Sequence, residues 1–102
     1  MAGRGLTAER WFEEQSAGAP EVLREKAREY LRAVGPSGDR GGPAERLGEA
    51  ARAALDAVVS QSGDRSVALD LLAADALVTL ALKARARENP AGLARFAAEL
   101  LA

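Results

Sequence analysis

The sequence predicts an all-α fold, a small antiparallel bundle of four main helices plus a short N-terminal helix. Three observations carry that prediction. Hydrophobic residues make up 48% of the 102-residue chain while aromatics make up only 4%, and alanine and leucine supply most of the apolar surface, a helix-forming composition short of strand-favouring residues. Gly and Pro fall at intervals that cut the chain into helix-length segments. Within each segment apolar residues recur at three- and four-residue spacing, and no alternating strand pattern competes. A chain this long supports one core, so residues 1–102 are expected to form a single helical domain with a flexible linker at 35–42.

The first helix is expected from Thr7, its N-cap, to about Ser16, with Leu6 and Trp11 at the spacing of a hydrophobic staple and Gly18 as its stop. Pro20 fits the first turn of a second helix that runs to Val34 and closes on Gly35 at C′. Its sequence, Glu21-Val22-Leu23-Arg24, Glu25-Lys26-Ala27-Arg28 and Glu29-Tyr30-Leu31-Arg32, repeats tetrads that start in glutamate and end in arginine. At about 100° per residue, Leu23, Ala27, Tyr30, Leu31 and Val34 share one face, and the charges form a solvated face of i,i+3 and i,i+4 ion pairs.

The linker Gly35-Pro36-Ser37-Gly38-Asp39-Arg40-Gly41-Gly42 is too rich in Gly, Pro and small polar residues for a regular element. It lacks the Gly-Lys-Ser/Thr ending and preceding strand of a phosphate-binding loop. A third helix is expected from Pro43 to about Ser62, with Leu47, Ala50, Ala51, Ala54, Leu55 and Val58 on one stripe and Glu45, Glu49, Arg52 and Asp56 opposite. Gly63 stops it, Asp64 caps a fourth that runs to about Glu88, and Asn89-Pro90 forms the cap and first turn of a fifth. That last helix groups Leu93, Phe96, Ala97, Leu100 and Leu101.

Fourteen basic and fifteen acidic residues nearly cancel, and the signs are interspersed, so neither nucleic acid nor an anionic membrane is an expected partner. The N-terminus lacks an apolar signal core, and Asp70 and Asp75 interrupt the best apolar run, so no membrane span is expected and the plain expectation is a cytoplasmic protein. Arginine over lysine, with abundant alanine and glycine, points to a GC-rich bacterial source.

With neither cysteine nor histidine in the chain, thiolate chemistry, His-based general-base catalysis, the serine triad and the bundle-type di-iron site all lack their residues. A carboxylate-only magnesium site of the kind found in helical nucleotide pyrophosphohydrolases needs acids three apart on facing helices, and no two acidic residues here are three apart. Four-apart pairs exist at Glu9/Glu13, Glu21/Glu25, Glu25/Glu29 and Glu45/Glu49, the last three on polar faces. No catalytic residues, metal ligands or cofactor are therefore expected, and the chain reads as a non-enzyme.

The fourth helix carries the central question, because its apolar run holds two aspartates. With Leu69 at 0°, Asp70 falls near 100° and Asp75 near 240°, so they do not face one site. Asp75, Thr79 and Lys83 form a narrow solvent stripe. Asp70 lies among Val67, Ala74, Leu77 and Ala81 and needs a partner if buried, with Arg24, Arg28, Arg52 or another chain as candidates. Leu71-Leu72-Ala73-Ala74-Asp75-Ala76-Leu77 resembles a helix segment of the polyprenyl synthases over seven residues; that family's paired aspartate motifs have no counterpart here, and the chain is too short to be a member.

A helix apolar nearly all round is normally central or part of an interface. The leading expectation is a helical protein-protein interaction module, a homo-oligomer or a small subunit of a larger assembly, with Asp70, Leu71, Val78, Leu82, Phe96, Leu100 and Leu101 as interface candidates. The alternative is a binder of a small anionic ligand through Lys83, Arg85 and Arg87 at the end of the fourth helix.

Overall fold

The computed structural model describes residues 7–35, 42–60 and 66–102. They form α1 (Ala8–Gln15), α2 (Glu21–Ala33), α3 (Pro43–Ser60), α4 (Ser66–Glu88), a 3-10 turn (Pro90–Gly92) and α5 (Leu93–Leu101), with no strand among the described residues. The all-α bundle is therefore as the sequence predicts. Leu6, Asp64, Gly63 and most of the 35–42 linker lie outside the described residues.

Local chemistry sets most of the boundaries. The Thr7 hydroxyl accepts a hydrogen bond from the Arg10 N–H at 3.1 Å, capping α1. Gly35 adopts φ +67° after α2, the left-handed conformation that glycine takes without a Cβ penalty. At the start of α3 the Glu45 carboxylate reaches back to the Gly42 N–H at 3.1 Å, and Glu88 of α4 accepts from the Ala44 N–H at 3.4 Å. Two carboxylates thus meet the positive end of one helix.

Two prolines act one step away from their expected roles. Pro20, at ψ 143°, is the N-cap of α2 instead of its first helical residue, because extended backbone there still leaves the next turn free to form. Pro90 opens a 3-10 turn, Asn89 makes no side-chain cap, and α5 begins only at Leu93.

Alanine dictates the packing. α3 and α4 share the largest interface in the molecule, where Ala44, Ala50, Ala51 and Ala54 of α3 and Ala73, Ala74, Ala81 and Ala84 of α4 are buried together with Leu47 and Leu77. Small side chains let the two backbones approach closely. The helices run antiparallel, since Glu45 near the start of α3 pairs with Arg85 near the end of α4.

α2 lays Ala27 and Leu31 on this pair, with Leu23, Tyr30 and Val34 partly buried beside them, so its predicted apolar face is correct. α1 supplies the two large aromatic residues of the core, Trp11 and Phe12, and the Trp11 indole N–H donates to the Leu80 carbonyl of α4 at 3.2 Å. α5 packs across α3 at Gly48, whose position faces Leu100 and Phe96, and Arg52 holds its C-terminal turn by donating to the carbonyls of Leu100 and Ala102 at 3.2 and 3.1 Å. Leu101, an interface candidate grouped with Leu100 in the sequence, is 58% exposed.

Candidate functional site

The tetrads of α2 do more than decorate a solvated face. Arg24 and Arg28 form their predicted i,i+3 pairs with Glu21 and Glu25, but both also clamp Glu13 of α1, each at 2.7 Å. The Arg28 hydrogen bond, with both guanidinium charges, holds the Glu13 carboxyl below its ordinary range. Arg46, not singled out in the sequence, is buried with a guanidinium that meets Glu9 of α1 and the Leu31 carbonyl at the end of α2. Burial pushes Glu9 up, and the Arg46 hydrogen bond and charge outweigh it, so Glu9 ends lower than usual. Arg46 sits about 40° from Ala50 at the edge of the α3 stripe, which was the available signal for its burial.

Asp70 is 2% exposed and paired within the chain. Its Oδ1 accepts from the Tyr30 hydroxyl at 2.9 Å and lies 3.5 Å from Lys26 Nζ. Neither partner is among the arginines the sequence nominated: Arg24 and Arg28 point to α1 and Arg52 to α5. Burial, with Asp70 as hydrogen-bond acceptor and neighbouring charge, pushes the Tyr30 phenol up to about 12. Asp70 therefore joins α2 to α4 and is not presented to a surface, unlike its expected place in an interface.

The basic residues near the end of α4 lie apart. Arg85 pairs with Glu45, lies 4.0 Å from Glu88 and stacks 4.5 Å from the Phe96 ring centroid. Arg87 stands 5.2 Å from the Trp11 ring on another side of the helix, and Lys83 is exposed. Arg85 lines an open groove of about 790 Å³ between α3 and α5. Three glutamates (Glu45, Glu49, Glu99) and three arginines (Arg52, Arg85, Arg95) share that lining, so it has no excess positive charge. In the Glu45 carboxyl, burial raises the affinity for protons, but the Gly42 N–H and Arg85 lower it further. Among the described residues, no group of three or more acidic side chains is placed to hold a metal ion, and no helix is long and apolar enough to cross a membrane.

α4 also presents apolar side chains outward, Leu71 and Leu72 in succession. Asp70, Ala73, Ala74, Leu77, Leu80, Ala81 and Ala84 face the core. On the opposite side Leu71 and Leu72 are 51% and 54% exposed and Asp75, Thr79 and Lys83 are exposed, while Val78 and Leu82 are half-buried and pack partly against the core. Of the interface candidates on α4, Leu71 is the most open and Val78 and Leu82 flank it half-buried; on α5 Phe96 is half-covered and Leu100 buried. Leu72 was not among the candidates; its position next to the Asp75 and Thr79 stripe was the signal for it. No known family model matches the chain, and no similar curated protein or solved structure was found.

Proposed function

We propose that this chain is a helical protein-interaction module without catalytic chemistry of its own, and that its docking surface is the outward face of α4. The observation that carries the reading is the pair Leu71 and Leu72, half exposed in a helix whose other side is filled by the core. Helices that have met their packing needs on one side do not require leucines on the other, and burying such a side chain is worth about 1.5 to 3 kcal/mol. Val78 and Leu82 extend the same surface.

Anion binding receives less support, since Arg85 is held by Glu45 and the groove beside it carries balanced charge. The test compares the wild-type chain with Leu72→Lys by light scattering and by pull-down from the source cells. Self-association or a retained protein that is lost in Leu72→Lys is the expected result. A monomeric wild type that retains the same proteins as the variant would contradict the reading.

A further inference from the structure

The outward face of α4 has an internal symmetry that points to its occupant. Ala68, Leu72, Asp75, Thr79, Leu82 and Ala86 follow one another at spacings of four, three, four, three and four residues, the seam of a coiled coil. Ala68, Leu72, Asp75 and Thr79 are exposed and Leu82 and Ala86 half-buried, Leu82 packing partly on the core while its outer side stays open. The core-facing residues Asp70, Leu77 and Ala84, with Ala73, Ala74, Leu80 and Ala81 between them, form the complementary stripe. Both repeats hold a seven-residue period, so the helix offers one seam to its own bundle and a second one outward.

The outward seam reads Ala, Leu, Asp, Thr, Leu, Ala, the same order of sizes and polarities in either direction about residue 77. We infer that the surface is covered by a second copy of the same chain, with the two α4 helices antiparallel across a twofold axis near residue 77. This inference rests on the interaction-module reading above and names its partner.

In that arrangement Leu72 packs on Leu82 of the second copy, Ala68 on Ala86, and Asp75 on Thr79, and the symmetry makes each layer occur twice. The Thr79 hydroxyl donates to the Asp75 carboxylate across the seam. A polar layer among apolar ones is a register-setting device in helix pairs. Orientation follows from charge: an in-register parallel pair would bring Asp75 directly against Asp75 in one layer, whereas the antiparallel pair offsets the two carboxylates by about 6 Å along the axis and seats each on a Thr79. Leu71 and Val78 border the seam on the same side and widen its apolar area. One helix face per protomer, without an aromatic anchor, gives a small contact, and roughly micromolar dissociation is expected.

Sedimentation equilibrium over a concentration series, with single-cysteine cross-linking, tests the inference. The chain has no cysteine of its own, so an introduced one reports alone. At 1.5 Å per residue, position 79 lies about 6 Å along the axis from its own copy and position 68 about 27 Å. A short bismaleimide should therefore join Thr79→Cys into a covalent dimer and leave Ala68→Cys monomeric. Leu72→Asp, which removes both leucine layers at once, should weaken the dimer at least about 100-fold while its helical circular dichroism at low concentration stays that of wild type. A dimer indifferent to Leu72→Asp, or one cross-linked at 68 as readily as at 79, overturns the pairing. A monomeric chain that still holds another protein in a Leu72-dependent manner overturns it too, and leaves the interaction-module reading in place; a monomer with no Leu72-dependent partner removes both.

Discussion

Replacing Asp70 by alanine probes the join between α2 and α4. The carboxylate is 2% exposed and stands 3.5 Å from Lys26 Nζ, an attraction of about 5 kcal/mol at an effective dielectric of about 20. Desolvating a carboxylate costs several kcal/mol, so these two contributions roughly cancel. What remains is the hydrogen bond from the Tyr30 hydroxyl at 2.9 Å, worth about 1.5 to 3 kcal/mol for a charged acceptor. For a chain of this length each kcal/mol moves the melting temperature by about 4 °C, so Asp70→Ala should melt about 6 to 12 °C lower. Tyr30→Phe removes the donor and should lose a similar amount. The double variant should fall short of the sum by about 1.5 to 3 kcal/mol, because one bond is broken only once. Thermal unfolding followed by circular dichroism at a single protomer concentration measures all four proteins, the fixed concentration keeping any self-association constant. An unchanged or raised melting point in Asp70→Ala, or strict additivity, would refute the assignment of Tyr30 as the partner.

Four further outcomes are expected. Gly48→Ala should stabilise by about 0.5 to 1 kcal/mol, since an α3 interior gains helix propensity and the added Cβ meets Leu100 and Phe96 at 3.5 and 3.6 Å, ordinary contact distances. Gly35→Ala should lose about 1 kcal/mol because of its φ of +67°, both shifts being read from urea midpoints. In a pH series, Glu9, Glu13 and Glu45 titrate below the ordinary 4.5 when folded. Their contribution is therefore present above about 4.5 and lost as pH falls through the lowered folded values. Tyr30 titrates in the opposite sense, from 10.0 to about 12, so its contribution should persist up to pH 10 and disappear between 10 and 12. Trp11→Phe, which deletes the donor to the Leu80 carbonyl and leaves space in the core, should cost about 1 to 3 kcal/mol and speed amide exchange in α1 first.

The helices were legible because Thr7, Gly35 and the three-and-four spacing of apolar residues act locally. The shifts at Pro20 and Pro90 have a local origin as well: proline fixes φ but leaves ψ free, so it marks the neighbourhood of a helix start without choosing between cap and first turn. The ion pairs were legible only where both members lie on one helix. Glu13 meeting Arg24 and Arg28, or Arg46 meeting Glu9, depends on how α1 is seated, which no spacing within a helix encodes. Asp70 shows both sides of this. Its apolar neighbours followed from the wheel of α4, but its burial and its partners Tyr30 and Lys26 depend on how α2 is seated against α4. The outward side of α4 was half legible: Leu71, Val78 and Leu82 stood out as apolar, while Leu72 was marked only by its position beside the Asp75 and Thr79 stripe.

Pairing of the outward face of α4 with a second copy of the chain can be followed by sedimentation equilibrium of the unmodified protein across the micromolar range. A reversible shift from one to two copies is expected as concentration rises. A single species with the mass of one chain throughout that range would contradict it.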